Sequence, residues 1–214
     1  MKNIQAALFD LDGTLTNTLT DIANAMNRAL TEHGLPTWSV EDYKYLVGNG
    51  AKILAQRAVR DRQELAEPVR QTYQAWYETH NQETTRPYDG IPAMLTALRE
   101  AGLRLAVLSN KQDLYVRRLV EKLFPAGLIA YAAGQTDLPR KPDPTVPKMI
   151  AAKLGFACSQ AAFIGDSDVD VRTAQNAGML SVGCEWGYRG RQVLEEAGAQ
   201  KILRTPWELT GVFL

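Results

Sequence analysis

The stretch Ala6-Ala7-Leu8-Phe9-Asp10-Leu11-Asp12-Gly13-Thr14-Leu15 sets two carboxylates one residue apart directly after an apolar run and follows them with a glycine. Residues 4–9 read as a buried strand, so Asp10 and Asp12 fall where the strand ends and the chain turns, the place where open α/β sheets bind ligands. Two like charges that close repel unless a cation joins them. A hard cation such as Mg²⁺ takes oxygen ligands, keeps several waters, and can hold one or two carboxylates together with a substrate phosphate. The stretch therefore points to phosphate chemistry. It does not fit a calcium loop of the EF-hand kind, which needs glycine at position six, a bidentate Glu at position twelve, and a helix on either side. Counted from Asp10, glycine falls at position four and Asp21 at twelve. An ordinary Asp-Gly turn with a solvated acid is the plainer alternative, and the rest of the chain weighs against it.

Outward from this stretch, residues 16–82 have a helical, strand-free pattern. Ile22, Ala25, Met26, Ala29 and Leu30 fall at helical spacing and stop at Gly34. Ser39 is placed to cap a second helix, which ends at Val47-Gly48-Asn49-Gly50, and helical patterns resume through Tyr77. Thr84-Thr85-Arg86-Pro87-Tyr88-Asp89-Gly90 then marks a return linker. After it the chain alternates: helix 91–101, strand 103–108, helix 112–123, strand 129–133, helix 144–154, strand 161–164. The alternation runs on through helix 169–177, strand 180–184, a short helix at 191–197 and a last strand at 200–203. Strands separated by helices of this length predict right-handed βαβ units and a parallel sheet that the first strand joins. The expected architecture is an α/β, Rossmann-like doubly wound parallel sheet formed by residues 1–15 and 83–214, with a helical cap, 16–82, inserted after the first strand.

Composition narrows the function. Lys and Arg total 24 and Asp and Glu total 24, so no net field draws nucleic acid or an anionic membrane surface. No apolar run reaches the roughly 18 residues of a membrane span, and the N-terminal residues lack the pattern of a secretory signal, so a cytoplasmic protein is expected. Cys158 and Cys184 lie far apart without metal or disulfide spacing and read as reduced structural thiols. His33, at a probable helix end before Gly34, and His80 have no third partner for a triad or metal site. Acid and base chemistry then falls to carboxylates.

In a parallel sheet the strand C-termini share one edge, so residues just after each strand converge there. The first strand delivers Asp10 and Asp12, the next Ser109 and Asn110, and the strand ending near Ile164 delivers Asp166, Ser167, Asp168 and Asp170. Between them Arg140-Lys141-Pro142-Asp143-Pro144 sets a lysine in a loop stiffened by two prolines. This set suits phosphoryl transfer, in which a nucleophile attacks phosphorus in line while cations neutralise the equatorial oxygens. Asp10 is the expected nucleophile, and Asp12 the group that protonates the leaving alcohol and then activates water. Ser109 and Asn110 would donate to phosphate oxygens, Lys141 would supply positive charge, Asp166 would complete the Mg²⁺ site, and Asp170 would bind or orient. Each has a plainer role as well: a helix cap for Ser109, a solvated cation for Lys141, and stabilisation of a helix dipole for residues 166–170.

These residues carry a resemblance that spans nearly the whole chain. FDLDGT at 9–14, AVLSN at 106–110, Lys141 in RKPDP, and IGDSDVDV at 164–171 resemble, in order, the four signatures of the haloacid dehalogenase superfamily of Mg²⁺-dependent phosphatases. The resemblance implies an aspartyl-phosphate on Asp10, general acid/base catalysis by Asp12, and Mg²⁺ held by Asp10, the Asp12 backbone carbonyl and Asp166. An Asp at position 12 separates the superfamily's phosphatases and mutases from its dehalogenases. The helical insert is similar to the superfamily's small cap, which closes over the site. VGNGAKILAQRA at 47–58 and WGYRG at 186–190 are similar to loops of the phosphoglycolate phosphatases. That likeness implies that Gly48, Asn49 and Gly50 bring backbone amides to a substrate carboxylate, with Lys52 adding charge. One departure is Asn17-Thr18, where the family commonly has Asp-Ser.

The expected activity is thus hydrolysis of a small phosphorylated metabolite, 2-phosphoglycolate first among them, by a monomer or homodimer. A sugar phosphomutase or another small-metabolite phosphatase is the enzymatic alternative. A non-catalytic phospho-Asp regulator is the alternative of another class, disfavoured because receiver domains place the acidic pair a whole βα unit before the phosphorylated Asp and are much shorter.

Overall fold

The computed structural model describes residues 4–213. The strand before the acidic pair, β1 (Ala6–Phe9), is buried along its whole length. A short strand β2 (Thr16–Asn17) follows, then helices α1 (Leu19–Glu32), α2 (Tyr43–Leu46), α3 (Gly50–Ala58) and α4 (Ala66–His80), and a short strand β3 (Arg86–Pro87). The chain then alternates through α5 (Ile91–Glu100), β4 (Arg104–Gln112), α6 (Asp113–Leu123), β5 (Tyr131–Gln135), α7 (Thr145–Leu154) and β6 (Ala161–Gly165). It ends with α8 (Asp168–Ala177), β7 (Leu180–Cys184), α9 (Gly190–Glu196), β8 (Lys201–Leu203) and α10 (Glu208–Phe213).

Six strands form one parallel sheet in the order β5-β4-β1-β6-β7-β8. The strand order reverses beside β1, which is the switch point where such sheets open a crevice at their C-terminal edge. Both faces of β1 are covered, and its side chains divide between them with the strand period of two. Ala7 and Phe9 pack with Ile91, Leu95, Val116 and Leu119 of α5 and α6. Ala6 and Leu8 pack with Ile150, Leu154, Ala174 and Ala177 of α7 and α8. A strand buried on both sides has no polar alternation, which is why 6–9 reads as a continuous apolar run.

Helices α1 to α4 build a third apolar cluster from Met26, Leu30, Leu54, Val69 and Tyr73, among others. Tyr115 of α6 and Tyr188, after β7, join that cluster, so the helical layer and the sheet layer share apolar contacts. The span 16–82 is not free of strand, because Thr16–Asn17 pairs antiparallel with Arg86–Pro87. These two-residue strands are the two chain crossings between the layers, and they are too short to leave a periodic signal. Ser39 does not cap a regular helix: its hydroxyl accepts from the Asp42 amide and donates to the Asp42 carboxylate, closing a turn before the single-turn α2. The strand expected to end at residue 108 runs to Gln112, with an irregular register between Leu108 and Gln112. The C-terminal helix α10, which buries Leu209, was not anticipated from the sequence.

Asp21 fastens the crossings. It is buried on α1 and accepts hydrogen bonds from the backbone amides and hydroxyls of both Thr84 and Thr85, at 2.6–3.2 Å. Removing the carboxylate strands the buried donors of Thr85, so Asp21→Ala should lose about 2–3 kcal/mol in urea unfolding. A loss within the roughly 0.5 kcal/mol of an ordinary surface substitution would contradict this role.

Candidate active site

The sheet's C-terminal edge gathers the acidic residues. Asp10 continues the β1 ladder by donating its amide to Ile164 O at 2.9 Å, which holds its Cα rigidly, and its side chain is buried. The chain then reverses through Gly13, whose φ is +88°. A Cβ there would come within 2.5 Å of Asp166 Oδ2 and 2.8 Å of the Tyr188 ring, so only glycine lets the turn approach Asp166 this closely. Gly187 is under the same constraint, since a Cβ would lie 2.2 Å from Asp166 Cβ. The 186–190 loop is locked against the acidic turn: Trp186 Nε1 donates to Thr14 O at 3.0 Å, and the Tyr188 amide donates to Asp166 Oδ2 at 2.7 Å.

Among the described residues, ligand oxygens of Asp10, Asp166 and Asp170 lie within 4.8 Å of one another, all buried. Lys141 Nζ sits between two of them, 2.9 Å from Asp10 Oδ1 and 2.7 Å from Asp170 Oδ1. Asp170 Oδ2 is taken by the Ser167 amide and hydroxyl in a capping box at the start of α8. Asp170 is thereby fixed, and through it Lys141. Asn110 braces the same lysine from the other side: its Oδ1 accepts from the Lys141 amide, and its Nδ2 donates to the carbonyls of Lys141 and Gly48. Both amide hydrogens assigned to phosphate from the sequence are thus on backbone carbonyls, and Asn110 has a positioning task.

Burial pushes the Asp10 carboxyl up to about 7, against the pull of Lys141 and reinforced by the charges of Asp170 and Asp12. Burial also drives Asp166 well above the carboxylate range, with Asp170 and Asp10 adding repulsion. Burial disfavours the Lys141 ammonium, yet the Asp10 and Asp170 charges outweigh it and hold its pKa above the ordinary lysine range. Three carboxylates therefore face one ammonium. Asp10 Oδ1 is buried, and the Lys141 ammonium 2.9 Å away is the charged group set against it. An oxygen-only cluster with excess negative charge fits a hard divalent cation.

The carboxylate of Asp12 lies outside that cluster and has its own partners. It accepts from the Thr18 hydroxyl at 2.7 Å and from Lys111 Nζ at 2.9 and 3.0 Å. Asp12, Asp10, Asp166, Ser109, Asn110, Gly48 and Gly50 all line one cleft between the helical layer and the sheet edge. Ser109 Oγ accepts from the Lys111 amide at 3.2 Å. Lys52 and Asn49 do not line the cleft. Lys52 is exposed on α3 and its charge acts on Glu67; Asn49 Oδ1 accepts from Arg57 and its carbonyl from Arg140. Asp168 pairs with Arg172 one helical turn away. His33 bonds to Thr72, His80 stacks on Trp76, and Cys184 is a buried thiol whose pKa burial raises, so none enters the site.

Sequence reasoning missed Lys111, Thr18, Tyr77 and Tyr188. Lys111 directly follows Ser109-Asn110, and extending that strand by four residues would have carried it to the same edge. Tyr188 lies inside the WGYRG stretch already singled out, whereas Tyr77 bears no local signal, because helical spacing alone assigns it to a core.

A family model for haloacid dehalogenase-like hydrolases matches residues 7–184. The chain belongs to this family. A phosphoglycolate phosphatase from Neisseria meningitidis is 35% identical over 211 residues, spanning 94% of this chain and 88% of its own length. One from Agrobacterium fabrum is 35% identical over 198 residues, spanning 88% of this chain and 84% of its own length. A crystal structure from Lactobacillus delbrueckii subsp. bulgaricus, of a protein provisionally assigned as a phosphoglycolate phosphatase, matches with a TM-score of 0.94 at 31% identity. It covers 100% of this chain and 99% of its own. Among the described residues, no helix of this haloacid dehalogenase-like hydrolase is long and apolar enough to cross a membrane.

The raised carboxyls set a pH test. Between 3.8, the ordinary value for Asp10, and about 7, the metal-free fold keeps a proton that the unfolded chain has released, so this group's contribution to stability falls as pH rises. A divalent cation replaces that proton, and its stabilising effect grows over the same window. The melting temperature should therefore rise more on adding MgCl₂ at about pH 8 than at about pH 5. Equal shifts at both would contradict the cluster as the metal site.

Proposed function

We propose that this chain is a Mg²⁺-dependent phosphomonoesterase that hydrolyses a small anionic phosphorylated metabolite, 2-phosphoglycolate in particular. The observation that carries the proposal is the contrast between two neighbouring carboxylates. Asp10 is buried against Lys141 among the other acidic groups, whereas Asp12 faces the cleft on a separate set of partners. Carboxyl groups in such different surroundings can take different tasks.

In this reading an Asp10 carboxylate oxygen attacks phosphorus while the bond to the ester oxygen breaks, and Asp12 donates its proton to the departing alcohol. The phosphoryl group then rests on Asp10. Asp12 next takes a proton from a water that attacks the same phosphorus, releasing inorganic phosphate and restoring Asp10. Lys141 offsets the charge of Asp10 and of the phosphoryl oxygens, and Ser109 is available to donate to one of those oxygens. Mg²⁺ held by Asp10 and Asp166, with Asp170 beside them, would neutralise negative charge on the transferring group.

The choice of substrate is supported by the phosphoglycolate phosphatases among the relatives. It is supported also by α3, which begins at the cleft with no side-chain cap on its N-terminus, the end that favours anions. We assign residues 16–82 the role of cap and 1–15 with 83–214 that of catalytic core, acting on a cytoplasmic metabolite.

Phosphate release from a panel of phosphorylated metabolites, with Mg²⁺ and with EDTA, tests this. Release should be greatest from 2-phosphoglycolate and abolished by EDTA. Asp10→Asn should fold normally but lose at least roughly 1000-fold in kcat. Undiminished activity in that variant, or isomerised sugar phosphate in place of free phosphate, would overturn the proposal.

A further inference from the structure

Lys111 has no place in the scheme above, yet it is the cation nearest to Asp12. Its side chain is only 7% exposed, it binds both Asp12 oxygens, and its Nζ lies 5.0 Å from the centre of the Tyr77 ring. Tyr77 is itself 1% exposed, and its hydroxyl is buried with no hydrogen-bond partner. Tyr73 stacks on it at 5.2 Å and Tyr115 meets it edge-on at 5.4 Å, which holds the ring in place. Lys111 and Tyr77 both line the cleft that holds Asp10 and Asp12. A largely buried ammonium packed on an aromatic ring, at the wall of the cleft that holds the nucleophile, can receive an anionic group of the substrate.

We propose that Lys111, packed on the Tyr77 ring, is the receptor for the substrate's carboxylate and so determines specificity. The inference rests on the phosphatase reading and deepens it. Asp12 protonates the leaving oxygen, so whatever binds Asp12 stands on the leaving-group side of the phosphorus. In 2-phosphoglycolate a single methylene joins that oxygen to the carboxylate carbon, which brings the carboxylate within reach of an ammonium already on Asp12. Thr18 keeps its own hydrogen bond to Asp12, so Lys111 can share or exchange Asp12 for the substrate without leaving that side chain unpartnered. The positive charge expected from Lys52 on sequence grounds is supplied here by Lys111, from the sheet and not from the helical layer.

The experiment compares kcat/KM for 2-phosphoglycolate and ethyl phosphate, which replaces the carboxylate by a methyl group, using the full chain with saturating Mg²⁺. Wild type should prefer the acid. Lys111→Met disturbs Asp12 and lowers both rates, but the ratio of the two constants should fall roughly 100-fold. Lys111→Arg should retain most of the preference. A ratio unchanged in Lys111→Met would reduce Lys111 to a structural role and overturn the proposal, as would a wild type that does not prefer the acid. If wild type releases phosphate from neither compound nor from any other phosphomonoester, it is the phosphatase reading that fails.

Discussion

Three carboxylates brought within 4.8 Å of one another, out of water, are the constraint on which this structure turns. Left alone they would repel or take up protons, and the raised pKa values of Asp10 and Asp166 record that pressure. The surroundings offset it in particular ways. Lys141 stands between Asp10 and Asp170, Ser167 caps Asp170, and the Tyr188 amide donates to Asp166. Each of these partners comes from a different crossover of the parallel sheet, so the apolar packing on both faces of β1 bears the cost of assembling them. A divalent cation bound there would complete the balance and would tie metal binding to the folded state.

The same set of contacts reaches the helical layer. Three successive carbonyls at its edge, those of Val47, Gly48 and Asn49, accept hydrogen bonds from Arg189, Asn110 and Arg140 at 2.9–3.2 Å. Asn110 also braces Lys141, so one side chain links the seam to the lysine beside the nucleophile. The Tyr188 hydroxyl contacts Thr18, whose own hydroxyl holds Asp12. Closure of the helical layer and alignment of the acidic groups therefore share residues, which is what an enzyme that must exclude water during transfer requires.

Much of this was legible in the chain. The parallel sheet followed from the alternation of strands and helices after residue 90, Asp10, Asp12 and Asp166 from their places at strand ends, and Lys141 from its proline-flanked loop between them. What escaped notice depends on distance across the fold. The hinge pair Thr16–Asn17 with Arg86–Pro87 is too short for any periodicity, and Asp21 is an ordinary helical acid until Thr84 and Thr85 return beside it. Gly48 and Gly50 reach the cleft as the motif suggested, whereas Lys52, two residues on, turns away because α3 has begun and rotates successive side chains by about 100°. Tyr77 spaces like a core residue and packs like one; only its place against Lys111, invisible in the sequence, brings it to the cleft.

The central claim is that Asp10 carries the phosphoryl group. Rapid acid quenching during turnover, followed by borohydride reduction and peptide mass spectrometry, reads this directly, because an acyl phosphate on aspartate is reduced to homoserine. Homoserine at position 10, formed only with Mg²⁺ and substrate and absent from Asp10→Asn, is the predicted result. Continued phosphate release with position 10 unmodified, or modification at Asp12 or Asp166 in its place, would contradict the account.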